Sequence, residues 1–223
     1  MSKIINFEGV PGVGKTTALN HVKSYCLDAG LSCVNLNDLM YYEGDRVGNK
    51  IFNIMQYKQD AFLRLGYPYI EAFLSQAIRY NIVYETIRKC EKYDVVLEDR
   101  GLDTYLTYML ARINKEHKKN YGEIIDWLEK LNMYCQVKYA CSILLVDELS
   151  ECKERYDNKN EKPFSDSDWQ FLSDVKDAYE FLSQRYSRIL LFDVRGKDQI
   201  QVGQSIIERI SPILGNGGGN NGM

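Results

Sequence analysis

The sharpest chemistry in the chain lies near its N-terminus. Gly9-Val10-Pro11-Gly12-Val13-Gly14-Lys15-Thr16 has the spacing G-x-x-x-x-G-K-[ST] and is followed by Thr17. Glycines at these positions let the backbone curl so that successive N–H groups point inward at phosphate oxygens. A helix starting there adds the partial positive charge of its N-terminus. Lys15 can reach the β- and γ-phosphates, and the Thr16 hydroxyl can ligate Mg²⁺. The spacing points to a nucleoside triphosphate, read as ATP, with magnesium. It does not by itself name a reaction.

A second constellation is Glu98-Asp99-Arg100, at the end of the apolar run Val95-Val96-Leu97. A buried parallel strand that ends in charge opens into a site beside the phosphate loop. There Asp99 can hold Mg²⁺ or its water shell, and Arg100 can grip a second phosphate bidentately. A third group is Arg155, Lys159 and Lys162, in a charged segment read as a lid over residues 155–166. Cations over a transferring phosphoryl group neutralise its charge and exclude water. Lys153 lies earlier on the same helix and is less favoured. Asp38, Glu43 and Asp45 follow the second strand, and similarity to deoxynucleoside kinases, which place a carboxylate there, implies a general base or acceptor contact among them. Taken singly, each reads more readily as a solvated loop charge. Glu8, just before the glycine loop, can fix that loop or a metal-bound water, with a structural role favoured. Tyr105 and Tyr108 are spaced to stack on an acceptor base or simply to pack.

These residues need elements to hold them. Lys3 to Phe7 reads as a strand, and Lys15 to Leu27 as a helix stopped by Gly30. Cys33 to Leu36 is a second strand, followed by an irregular polar stretch from Asn37 to Lys50. Helical spacing runs over Ile51 to Leu65 and Ile70 to Lys92. Asp94 to Glu98 is the third strand, Ala140 to Val146 the fourth and Arg188 to Val194 the fifth. Helices are expected over 102–114, 123–134, 150–156, 168–187 and 198–213. This alternation predicts a three-layer α/β P-loop NTPase fold: a five-stranded parallel sheet with helices on both faces and a small lid. Residues 1–214 read as one domain and 215–223, GNGGGNNGM, as a disordered tail.

The composition agrees. The chain has 223 residues, 28 Lys+Arg against 31 Asp+Glu, and a formal net charge of -3. That length suffices for one substantial core, and the charge leaves no footprint for coating long nucleic acid. Six cysteines without metal-ligand spacing read as free thiols of a reducing compartment. No apolar run is long enough to span a bilayer, so a cytoplasmic protein is expected.

The stretch LEDRGLDTYLTYM resembles the Asp-Arg-Tyr segment of thymidylate kinases. Phe7-Glu8-Gly9 with Gly14-Lys15-Thr16-Thr17 is similar to that family's FEG…GKTT opening. Phe73 to Arg79 falls on its LFxAxR helix, and Leu144 to Asp147 with Arg155 on its fourth strand and lid helix. Phe171-Leu172, Val175-Lys176 and Tyr179 match the helix after the lid, so the pattern covers residues 3 to 213. The resemblance implies phosphoryl transfer from ATP to a nucleoside monophosphate. It implies that Arg79 and Arg100 contact the acceptor, and that the protein is a homodimer through long helices.

Three positions depart from the family pattern. Pro11 replaces an acid of the phosphate loop. No threonine-arginine-glutamate-proline-glycine motif follows the second strand. Gly101 stands where tyrosine follows Asp-Arg. The acceptor therefore stays open between a monophosphate, a nucleoside or a modified or polynucleotide acceptor, and a non-catalytic nucleotide-binding protein is a further alternative. A GTPase is excluded, because Asn114-Lys115-Glu116-His117 lacks the aspartate of the guanine motif and follows no strand.

Overall fold

The computed structural model describes residues 2–36, 46–85, 90–134 and 137–215. Five strands are present: β1 (Lys3–Glu8), β2 (Cys33–Leu36), β3 (Val95–Asp99), β4 (Tyr139–Val146) and β5 (Ile189–Asp193). They pair in parallel in the order β2-β3-β1-β4-β5. Eight α-helices surround the sheet among the described residues: α1 (Lys15–Asp28), α2 (Arg46–Met55), α3 (Pro68–Glu85), α4 (Leu102–His117), α5 (Tyr121–Asn132), α6 (Leu149–Lys159), α7 (Asp166–Arg185) and α8 (Gln199–Leu214). This is the expected three-layer fold, and every connection between parallel strands is the long helical crossover that such pairing demands.

β1 is the central strand and is buried on both faces from Ile4 to Glu8. Its side chains alternate, so Ile5 and Phe7 point to one face and Asn6 and Glu8 to the other. Beyond it the chain must turn sharply, and the C-terminal ends of β1 and β3 lie level, with Phe7 paired to Asp99. α1 packs on α8 and under β1 and β3, whereas α4 packs on α3, α5 and α7. No described helix is long and apolar enough to cross a membrane.

Several helices have bounds other than their spacing predicts, α3 (Pro68–Glu85) and α4 (Leu102–His117) among them, and two of the differences have a clear side-chain cause. The helix expected over Ile51 to Leu65 is α2 and a single 3-10 turn, Gln56–Lys58. Side chains then take the backbone donors that a helix would use. Asp60 Oδ1 accepts the N–H groups of Phe62 and Arg64 at 2.9 and 3.0 Å. Glu71 Oε1 accepts those of Leu65, Gly66 and Tyr67 at 2.7, 2.8 and 3.1 Å. In the other case α6 runs on to Lys159, past the expected break at Asp157. The Asn160 side chain stops it by donating to the Tyr156 carbonyl at 2.7 Å. The loop over the site is therefore 160–165, shorter than the expected 155–166, and Arg155 and Lys159 are helical. Ser165 and Asp168 form a reciprocal capping box that starts α7.

The expected tail beyond Gly215 lies outside the described residues, as do Asp38, Glu43 and Asp45. The Asn114–His117 stretch closes α4 and follows no strand. Cys26, Cys33, Cys90, Cys141 and Cys152 are free thiols, four of them buried.

Candidate active site

Gly9, Gly12 and Gly14 hold φ of 132°, 82° and 105°, which side chains rarely adopt. Two of them are also pressed against neighbours. A Cβ on Gly9 would sit 2.6 Å from the Leu145 carbonyl oxygen, and one on Gly12 2.0 Å from that of Cys152. The loop is thus wedged between β4 and the start of α6. Lys15 is buried and donates to the carbonyls of Gly9 and Val10 at 3.0 and 3.1 Å. No acidic residue occupies the first turn of α1, so its N–H groups are open to an external anion.

A cavity of about 1150 Å³ opens over this loop. Pro11 to Ala18 form its floor, Asp99 and Arg100 one wall, and Arg155, Tyr156 and Lys159 another. Val10 is buried beneath it. The sequence-expected phosphate, metal and lid residues are therefore brought together at one place, with Lys162 left exposed on the loop outside the lining.

Asp99 ends β3, and its Oδ1 is buried with no hydrogen-bond partner among the described residues. Asn35, one position before the end of β2, has a buried Oδ1 in the same state and lines the same cavity. Sequence reasoning missed Asn35. Its only signal is a polar side chain inside a short β-rich run. These two orphaned oxygens and the Thr16 hydroxyl belong to residues lining one cavity, a hard, oxygen-only donor set whose chemistry suits Mg²⁺.

Arg100 follows at φ 64°, a left-handed conformation that costs a non-glycine residue about 1–2 kcal/mol. Its Nη1 donates to the Tyr108 hydroxyl at 3.4 Å. On the opposite wall Arg155 donates from Nε to the Gly12 carbonyl at 2.9 Å and from Nη2 to Asp147 at 2.5 Å. Asp147 is buried at the end of β4 and also caps the next turn through the Glu148 N–H at 2.8 Å. Lys153 faces away and pairs with Asp166.

Two expected acceptor contacts have another placement. Arg79 is 1% exposed, and its guanidinium is ion-paired to Glu98 and bonded to Tyr139. Tyr139 in turn donates to Glu98 Oε2 at 2.7 Å. Burial drives the arginine into this pair, since an unpaired guanidinium there is costly. Burial also holds the Tyr139 hydroxyl well above its usual range. The same Glu98 explains Gly101: a Cβ at 101 would lie 2.4 Å from Glu98 Oε2 and 2.9 Å from Asn6 Nδ2. Tyr105 is likewise buried and donates to the Ala72 carbonyl at 3.4 Å, so it joins α4 to α3 and does not line the cavity. Tyr108, one turn on, is the tyrosine beside Arg100.

Fold and site together define a P-loop phosphotransferase. No protein-family model matches the chain. A thymidylate kinase of Thermoanaerobacter sp. is 23% identical over 215 residues, covering 95% of this chain and 98% of the relative. One of Bifidobacterium longum is 35% identical over 105 residues, covering 47% of this chain and 50% of the relative. The structure of thymidylate kinase from Candida albicans superposes with a TM-score of 0.67 at 21% identity, covering 94% of this chain and 91% of that one. Within the P-loop kinases, the chain is thymidylate kinase-like.

Proposed function

We propose that this chain transfers the γ-phosphoryl group of ATP to a (deoxy)nucleoside monophosphate. The observation that carries the reading is the convergence of the phosphate cradle, Asp99 and Arg100 on one cavity. The full-length likeness to thymidylate kinases supports a monophosphate acceptor.

The roles follow from placement. The amides of residues 9–17 and Lys15 hold the donor phosphates, Lys15 exchanging its two carbonyl partners for phosphate oxygens. Thr16 and Asp99 would hold Mg²⁺, which would offset the negative charge on the phosphate oxygens. Arg100 grips the acceptor phosphate bidentately. Arg155 and Lys159 close over the transferring group and keep water out. A monophosphate is already an anion, so positioning and charge neutralisation suffice. Arg79 serves this site indirectly, by pairing Glu98 beneath it. The protein acts as one cytoplasmic domain, associated as a homodimer.

One observation favours a second reading, a nucleoside acceptor. The Arg79 charge is spent on Glu98, so fewer cations are left for an acceptor phosphate. A sugar hydroxyl needs a carboxylate base, and then Asp38, Glu43 or Asp45 supplies it.

ADP release from Mg-ATP across nucleosides, nucleoside monophosphates and their deoxy forms separates these readings, with Lys15→Ala as the blank. Stimulation by a monophosphate supports the first reading. Stimulation by nucleosides alone overturns it in favour of the second. ATP binding without turnover for any member leaves a nucleotide-binding protein.

A further inference from the structure

Outside the cavity lining, Glu8 is a buried ionisable side chain held by five hydrogen bonds among the described residues. It is 1% exposed on β1, next to the phosphate loop. Its Oε1 accepts the N–H of Gly101 at 3.1 Å and that of Thr104 at 3.0 Å. Asn6 Nδ2 donates to the same oxygen at 2.5 Å. Its Oε2 accepts from the Tyr179 hydroxyl at 2.7 Å and from the Thr104 hydroxyl.

These bonds do two jobs. The first is to start α4. Gly101 at the N-cap has no side chain to cap with, so Glu8 supplies the missing acceptor from another strand. The second is to hold Arg100 in its strained conformation. Strain of this kind persists only where the surroundings over-determine it. Here three consecutive β1 residues do so: Asn6 Oδ1 accepts from Gly101 N at 3.0 Å, the Phe7 carbonyl from Arg100 N at 3.1 Å, and Glu8 as above. The remaining Glu8 oxygen reaches α7, the helix that leaves the lid loop.

We propose that Glu8 is a positioning residue: its carboxylate fixes Arg100 on the acceptor side and links that arginine, through Tyr179, to the lid helix. The proposal rests on the reading of Arg100 as the acceptor contact. The Glu8 carboxylate bonds to Asn6, Gly101, Thr104 and Tyr179, none of them in the phosphate cradle, and it does not line the cavity, so its effect falls on the acceptor more than on ATP.

The carboxylate must be ionised to accept all five bonds. Burial, with Asp103 of α4 adding repulsion, pushes its pKa up to about 7, while Thr104, Tyr179 and Asn6 pull it down. Arg188, before β5, and Arg100 are the nearby cations, Asp103 being paired to the former. The sign is then fixed. An acid whose folded pKa lies above its unfolded value favours folding at low pH, and that contribution is lost as pH rises from 4.5 through 7. The clamp works in the opposite sense, being lost as pH falls through 7. Stability and acceptor binding therefore pull against one another at this residue.

Glu8→Gln at pH 8 tests this. The acceptor KM is expected to rise at least about tenfold, the ATP KM to stay within about twofold, and thermal stability to hold or increase. The wild-type acceptor KM should climb below pH 7, and the variant's should be flat there. Tyr179→Phe removes one bond that lowers the pKa, so it should move the wild-type limb to higher pH; it also serves if Glu8→Gln does not fold. Equal losses for ATP and acceptor, or an unmoved limb, would overturn the proposal. If the wild-type protein turns over no acceptor, the reading of Arg100 fails, and amide hydrogen exchange still decides the clamp. Protection at Gly101 and Thr104 should fall in Glu8→Gln, and unchanged protection would dismiss it.

Discussion

At the scale of single residues, charge pairing decides what each arginine can do. Arg79 and Arg100 are both arginines of the acceptor side in the sequence, yet one is sealed against Glu98 and the other lines the cavity. Removing Arg79 takes the cation from a carboxylate in the interior and leaves it the Tyr139 hydroxyl. Arg79→Met should therefore cost about 3–5 kcal/mol in denaturant unfolding, and Arg79→Met with Glu98→Met should recover about half of it or more. A loss under about 1 kcal/mol for the single variant would mean that Glu98 finds water or another partner. Gly101 reports on the same acid. Gly101→Ala forces a methyl to within 2.4 Å of Glu98 Oε2, and overpacking of this kind costs about 1–3 kcal/mol. The glycine at this position thus follows from an acid three residues earlier.

At the scale of elements, the proposed donor chemistry falls on the seam between the phosphate loop and α6. Arg155 bridges it, from the Gly12 carbonyl to the buried Asp147. Arg155→Ala should lower kcat by about a hundredfold or more with a smaller change in the ATP KM. Arg155→Lys should recover little, because an ammonium cannot span both partners as the guanidinium fork does. Steady-state kinetics with saturating acceptor reads this, and full recovery by lysine would reduce the residue to a point charge. The elements themselves were largely legible. Apolar runs such as Val95 to Leu97 gave all five strands to within a residue or two, because buried parallel strands have no other composition. The glycine spacing placed the cradle and Lys15. Strand order was not legible, since nothing in a short apolar run names its neighbour. Neither were the α2 and α6 boundaries, which depend on Asp60, Glu71 and Asn160 competing for backbone groups. The burial of Arg79 and Tyr105 was hidden for a related reason: helical spacing gives a face, but the partner of that face is set by tertiary packing. Asn35 was missed because one asparagine in a four-residue strand carries no pattern.

At the scale of the whole molecule, α3 is the element whose surface does not look finished. Its exposed positions are Ile70, Phe73, Ala77, Tyr80 and Tyr84. They recur at three and four residues, the a and d spacing of a helix that meets another helix. Both of its charged residues with described side chains before Glu85, Glu71 and Arg79, are turned inward and paired. The exposed face therefore carries apolar and aromatic groups alone, and the rings of Tyr80 and Tyr84 stack on one another at 6.4 Å. A soluble monomer rarely leaves such a stripe uncovered. A second copy of the same helix would be a self-complementary partner, since a two-fold axis would set one stripe on the other. Phe73→Glu with Tyr80→Glu should convert a dimer to a monomer in light scattering, because two like charges would face their own copies. The substitutions lie on solvent-facing positions, so the monomer should keep its fold and its ATP affinity. A wild-type mass equal to one chain would remove this role for α3. An unchanged dimer in the double variant would move the interface to another face. If the dimer forms through α3, the helix that carries the buried Arg79–Glu98 pair on its inner side is braced from outside.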